Sequence, residues 1–380
     1  MKVIVVYLGD VLNCPPAMSL INCLNETNNK TVFICYRSQL EQFSDFADKN
    51  KNAKFVYIGN SNTKSNPIKK VFKFINYKRL LRRIIQKEYD SDSMIWVLSN
   101  GTLKYFGRYL LKLRYVLHLL ELTERLYLIE SKHLIPLSIK YAKNAIALIE
   151  CEYNRAHITK AWWGLKKVPF VLENKPFNHS EYRRDEPITS SRNISCLFDD
   201  VLKNRKIILY QGNISNERPL GPFIEAVSEL GDDYAFVAMT NGDVGYSGSS
   251  RNFYQLPFVA PPKHLEITSR AYIGIITYTP VKNSYSILNT LYCAPNKIWE
   301  YSAFSVPMLG NDLPALNNHF LKYRDGECIS SFNKEEIKST IMKIDNNHGR
   351  YSQCSKQFYE SYDYKKEVER IISFCKTQNK

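Results

Sequence analysis

The chain lacks long apolar runs, closely spaced cysteines and a balancing number of acids, and each absence excludes something. No stretch reaches the ~18 uncharged apolar residues of a membrane-crossing helix, so none is expected. The opening apolar run Val3–Leu8 is short and is followed by no small-residue cleavage site, so it reads as a buried strand, not as a signal peptide. With 15 glycines and 16 prolines in 380 residues, collagenous and low-complexity chains are excluded. Nine cysteines stand at 14, 23, 35, 151, 196, 293, 328, 354 and 375, no two within three residues. That scatter excludes a Cys-x-x-Cys redox pair and an ordinary zinc knuckle, and reads as reduced thiols in a cytoplasmic protein. Gly242, Gly245 and Gly248 have the wrong spacing for a dinucleotide fingerprint, which disfavours a nicotinamide dehydrogenase. Acids number 37 against 52 bases, a net charge of +15. Such a field favours anionic partners: nucleic acid, acidic lipid headgroups or phosphorylated small molecules.

What is present reads as alternating β and α units. The chain is 44% hydrophobic and 13% aromatic, enough for sizeable cores, and its length suits two domains. Strands are expected at Val3–Leu8, Thr31–Tyr36, Lys54–Ile58, Met94–Leu98, Tyr115–His118, Ala145–Ile149 and Phe170–Leu172, then at Lys206–Tyr210, Tyr234–Met239, Asn252–Leu256, Tyr272–Ile276 and Val306–Leu309. Helices such as Gly221–Leu230 and Lys297–Phe304 fall between them. The polar, charged stretch Asn178–Asn193 reads as a linker. These patterns give an α/β chain of two tandem Rossmann-like, doubly wound domains, 1–176 and 195–355, joined by 177–194. Residues 356–380 are expected to pack back across them as a C-terminal helix, within a helical pattern running over Tyr351–Cys375. Ligands of such sheets sit beyond the carboxyl ends of the strands, so an interdomain cleft is the expected site.

The densest signal is Ala294-Pro295-Asn296-Lys297-Ile298-Trp299-Glu300-Tyr301-Ser302-Ala303-Phe304-Ser305-Val306-Pro307. Asn296 reads as an N-cap, and Lys297 and Glu300 lie three apart on one helical face. A lysine in a first turn opposes the helix dipole and suggests a bound anion; a surface Lys–Glu pair fits the same spacing. The string resembles the P-x-K-x-x-E-Y-x-A-x-x-x-P-V segment of bacterial glycosyltransferases with the two-domain GT-B fold, especially glycosyltransferase family 4 and relatives. Leu209-Tyr210-Gln211-Gly212 with Arg218-Pro219-Leu220 resembles the opening of their donor domain, Leu256-Pro257-Phe258-Val259 with Ala271–Ile275 their next β–α–β unit, and Ala142–Ala156 with Val171–Pro176 the end of their acceptor domain.

The resemblance implies transfer of a sugar from a nucleotide-diphosphate sugar to a growing, lipid-linked surface polysaccharide of capsule or O-antigen type, with retention of configuration and without metal or cofactor. It assigns donor binding to Gly212, Asn213, Arg218, Asn296, Lys297 and Glu300. Glu300 would accept the ribose hydroxyls, and Arg218 and Lys297 would face the diphosphate as catalytic cations. Three positions depart from the family: Asn213 stands where an arginine is usual, Arg218 where a lysine is usual, and Tyr292 where a second glutamate helps hold the sugar.

In the first half, Gly9-Asp10-Val11-Leu12-Asn13-Cys14-Pro15-Pro16 replaces the relatives' glycine-rich loop, and its prolines remove N–H donors. Glu121 is the candidate base or acceptor contact; His118 reads as a core histidine, and Arg155 and Lys175 read as cleft-lining or structural. Residues 64–87 hold nine lysines or arginines (64, 69, 70, 73, 78, 79, 82, 83 and 87) and no acid, interleaved with apolar residues. This fits a basic amphipathic surface lying on the anionic inner face of the plasma membrane, or a pair of ordinary packing helices. No recognised nucleic-acid motif accompanies it, so nucleic acid is not an expected partner. The rival readings are a nucleotide-sugar epimerase of the same fold and a non-enzymatic basic protein binding nucleic acid or lipid.

Overall fold

Val3, Ile4, Val5 and Val6 are all fully buried. A strand apolar on both faces belongs inside a parallel sheet covered by helices on each side. The computed structural model, which describes residues 1–38, 42–60, 67–129, 134–177, 184–214, 218–248, 250–280 and 286–378, places it there.

The chain divides into two units, Met1–Phe177 with Lys282–Asn289 and Tyr364–Lys380, and Asn178–Val281 with Thr290–Asp363. The first unit carries β1 (Lys2–Tyr7), β2 (Lys30–Arg37), β3 (Ala53–Asn60), β4 (Ser93–Leu98), β5 (Tyr115–His118), a small antiparallel hairpin of β6 (Tyr127–Ile129) and β7 (Leu134–Pro136), then β8 (Ala147–Glu150) and β9 (Phe170–Val171). Its seven-stranded sheet is parallel, in the order β3-β2-β1-β4-β5-β8-β9. The second unit carries β10 (Lys206–Gln211), β11 (Tyr234–Met239), β12 (Phe253–Leu256), β13 (Ile273–Ile276), β14 (Met308–Asn311) and β15 (Gly326–Ile329). They form a parallel six-stranded sheet in the order β12-β11-β10-β13-β14-β15.

Both orders run outward from the first strand and then return to its other side, the Rossmann arrangement, and both units are doubly wound. The reversals lie between β1 and β4 and between β10 and β13. Crevices open at the carboxyl ends of such strands. Alternation along β10 feeds two cores: Ile207 and Leu209 enter one, Ile208 and Tyr210 the other.

Three details differ from the sequence expectations. The strand β15 and the β6–β7 hairpin were not anticipated. Residues 67–88 form one helix, not two. The helical tail is interrupted: His348–Glu360 and Tyr364–Thr377 flank a break where the Tyr362 ring lies 5.4 Å from Trp299. At that break the chain passes from the second unit to the first. The terminal helix buries Tyr364, Val368, Ile371, Ile372 and Cys375. Arg114 Nη2 donates to the Cys375 carbonyl at 2.9 Å, and the Phe374 ring lies 5.0 Å from Phe170. Among the described residues, no helix is long and apolar enough to cross a membrane.

Candidate functional site

At the end of β10 the backbone turns at Gly212 with φ 123, a conformation open to glycine and rarely to other residues. A Cβ at this position would stand 3.0 Å from Lys297 Cε, so the glycine also makes room for the lysine stem. Lys297 comes from the seven-residue helix Asn296–Ser302, which Tyr301 fixes in place. The Tyr301 ring fills the space above Gly274 of β13, where a Cβ would meet it at 2.4 Å, and its hydroxyl donates to the Leu209 carbonyl at 2.8 Å. The N-cap is Pro295, not Asn296 as the sequence suggested: Pro295 has the extended φ of −72° and ψ of 132° of a cap, so Asn296 takes the first helical position.

Lys297 is 8% exposed and Glu300 5%, which removes the reading of a surface ion pair. Lys297 Nζ is buried with no hydrogen-bond partner among the described residues. It lies 4.6 Å from the centre of the Tyr210 ring and 5.5 Å from that of Tyr278. Burial, and then the neighbouring Arg218 guanidinium, hold this amine well below the usual lysine range, against the opposing pull of Glu300. Glu300 Oε2 accepts from Gln211 Nε2 at 2.6 Å, and the Thr268 hydroxyl donates to Gln211 Oε1 at 2.6 Å, which fixes the amide's orientation. His264 Nε2 stands 3.4 Å from Glu300 Oε1.

Arg218 donates from Nη1 to the Asn213 carbonyl at 2.6 Å and stacks 5.1 Å over Tyr278, while the Tyr210 hydroxyl donates to the same carbonyl at 2.7 Å. Asn311 holds the Tyr278 backbone from both sides, accepting its N–H at 2.9 Å and donating to its carbonyl at 2.8 Å. Gly212, Asn213, Arg218, Lys297 and Glu300 thus converge beyond the carboxyl end of β10, and Asn296 directly precedes Lys297 in the chain. Sequence reasoning assigned no role to Gln211, Thr268, His264 or Tyr278. The available signal was Gln211 preceding a loop glycine; the others lie on loops and a short helix, and only the fold gathers them. An orphaned amine and an oriented carboxylate are the parts needed to hold an anion beside a pair of hydroxyls.

Glu121 lies in the first unit, three residues past β5. Asn289 Nδ2 donates to Glu121 Oε2 at 2.9 Å, and the Leu122 N–H donates to Asn289 Oδ1 at 2.8 Å. Arg155 is buried, donating to the Asn289 carbonyl at 2.9 Å and the Leu120 carbonyl at 3.3 Å, so it fastens this corner together. At the end of β4, Ser99 has φ 72, a conformation costing a non-glycine residue ~1–3 kcal/mol, and the buried Asn100 amide beside it has no partner among the described residues. His118 is a core group: Trp96 Nε1 donates to its Nδ1 at 3.4 Å, and burial depresses its pKa to about 3. Glu150, at the end of β8, takes a hydrogen bond from the Thr159 hydroxyl at 2.6 Å, and burial pushes its carboxyl up to about 8.

No protein-family model matches the chain, and no curated protein sequence matches it. Solved structures do. Anabaena HepE in complex with UDP and glucose is 11% identical and superposes with a TM-score of 0.68, over 100% of both chains. The Escherichia coli trehalose-6-phosphate protein bound with UDP-2-fluoro glucose is 12% identical with a TM-score of 0.65, again over 100% of both chains. A UDP-forming α,α-trehalose-phosphate synthase from Burkholderia vietnamiensis is 8% identical with a TM-score of 0.65 over the same extent. The fold of this chain is therefore the GT-B fold.

Proposed function

We propose that this protein is a glycosyltransferase that moves a sugar from a nucleotide-diphosphate donor to a glycan acceptor. One observation carries the reading: among the described residues the buried Lys297 amine has no hydrogen-bond partner, and it lies one helical turn from the oriented carboxylate of Glu300. Burying an unpaired ammonium is costly, and a diphosphate would remove that cost. In this reading Glu300 accepts the ribose hydroxyls, and Lys297 and Arg218 face the diphosphate, stabilising the negative charge that gathers as it departs. Gly212, Asn213 and Asn296 complete the donor loop. The fold neighbours solved with UDP and UDP-glucose make a uridine donor the first to test. Glu121 serves the acceptor side, with one oxygen held by Asn289. The resemblance to family 4 supports retention of configuration without a metal, and a lipid-linked surface polysaccharide at the inner membrane face as the acceptor.

Calorimetric titration with UDP, ADP and GDP tests the donor site. Saturable, base-selective binding is expected; no binding of any of them would defeat the reading and leave a non-enzymatic basic protein. With a bound UDP-sugar, release of UDP only when a glycan acceptor is added identifies a transferase. Conversion of the donor without acceptor would identify an epimerase instead.

A further inference from the structure

The helix Pro67–Glu88 has two unlike faces. Leu81 and Ile85, both fully buried, enter the first unit's core, with Tyr77 and Ile84 packed beside them. At 3.6 residues per turn, Phe72, Ile75, Arg79 and Arg83 face away from Leu81 and Ile85, with Val71 and Arg82 on the flank of that side. Phe72 is 65% exposed and Val71 58%, and Ile75 and the three arginines are exposed as well. Single exposed apolar residues are ordinary, but three large ones on adjacent turns beside a row of cations form a patch that folding alone does not require. No acid occurs between residues 64 and 87 to offset the charge. The Arg82 guanidinium lies 5.1 Å over the Tyr109 ring, so Arg79 and Arg83 are the cations to alter.

We propose that this helix face docks the protein reversibly on an anionic lipid bilayer, Val71, Phe72 and Ile75 entering the headgroup boundary and Arg79 and Arg83 facing the lipid phosphates. The inference deepens the membrane part of the proposed function and rests on it only for why the protein should be there. A nucleic acid would use the arginines and gain little from the apolar residues, whereas a bilayer uses both. Each basic residue near such a surface is worth roughly fivefold in partitioning.

The test is flotation of the full chain with phosphatidylcholine vesicles, with and without phosphatidylglycerol, at low and high salt and without donor. Wild type is expected to float only with phosphatidylglycerol present. Arg79→Glu with Arg83→Glu should lower partitioning by roughly 25-fold or more at low salt. Val71→Ser with Phe72→Ser and Ile75→Ser should keep low-salt binding but lose what survives at high salt, where the charge attraction is screened. Equal flotation with neutral vesicles, wild-type flotation by both variants, failure of wild type at low salt, or retention on a DNA or RNA duplex in preference to vesicles would each overturn it. Unchanged melting temperatures and UDP titrations of the variants show that fold and donor site are intact. Vesicle binding and nucleotide binding can then fail independently.

Discussion

Lys297 and Glu300 make opposite demands on a substitution. Lys297→Met keeps the length and removes the buried amine, so stability should hold or rise, because an unpaired buried charge opposes folding. Nucleoside diphosphate affinity should fall roughly one to two decades, the ~1.5–3 kcal/mol of a charge-assisted bond. A structural lysine would show the reverse: lost stability and wild-type binding. Glu300→Gln removes the charge that Gln211 orients and should weaken binding by a similar factor. A pH signature accompanies this. Burial lowers the Lys297 pKa in the free protein and a bound anion raises it, so binding should take up protons and weaken as pH rises through the free-state pKa. Calorimetry in buffers of different ionisation enthalpy reads that uptake. Glu150 gives a separate prediction. Its folded pKa of about 8, raised first by burial, exceeds the ordinary 4.5, so the folded state holds the extra proton between those values. Stability should therefore decline as pH climbs from 4.5 through about 8. Glu150→Gln retains an acceptor for Thr159 and should be more stable than wild type above pH 8, by on the order of 2–4 kcal/mol, and nearly equal to it near 4.5. Chemical unfolding at the two pH values checks it.

At the scale of elements, two glycines should respond differently to alanine although both flank the same helix. Gly274→Ala drives a Cβ into the Tyr301 ring inside the core, where the neighbour cannot yield, so stability should fall by at least ~1–3 kcal/mol. Gly212→Ala meets only the flexible stem of Lys297 but must hold φ at 123. Its cost in stability should be smaller, ~1–2 kcal/mol, with a clear loss of diphosphate binding as the amine is displaced. Thermal unfolding and nucleotide titration of both variants distinguish them; equal binding by Gly212→Ala would remove Lys297 from the site. The same elements show what the sequence makes legible. Strands such as β1, β11 and β13 are near-continuous apolar runs because both their faces are buried, so composition alone exposes them. The strand β15 is only Gly326-Glu327-Cys328-Ile329, and pairing with β14, not its residue types, makes it a strand. At the site, Gly212, Arg218, Lys297 and Glu300 were visible through a motif. Gln211, His264, Thr268 and Tyr278 became visible only once the fold brought separate loops to one carboxylate and one amine.

For the whole molecule, the chain is less linear than its domain pattern suggests. Its last helix belongs to the unit built from its first residues. The apolar stripe of Val368, Ile371 and Ile372 is plain in the sequence, but an amphipathic period says only that a face is covered, not by what. In the fold that stripe is fully buried together with Tyr364 and Cys375, and Arg114 reaches across more than two hundred residues of sequence to bond Cys375. Burying side chains of this size contributes ~1.5–3 kcal/mol each, so the five together supply on the order of 7–15 kcal/mol. That is comparable with the ~5–15 kcal/mol by which a whole domain is stable. Removal of residues 364–380 should therefore abolish the cooperative unfolding of the first unit. Among the described residues, the second unit draws none of its core from this helix, so it should keep its own transition and its nucleoside diphosphate binding. Differential scanning calorimetry of the shortened chain, with and without UDP, separates the outcomes. A UDP-insensitive transition missing and a UDP-sensitive one retained is the expected result. Two unchanged transitions would mean that the terminal helix only decorates the first unit.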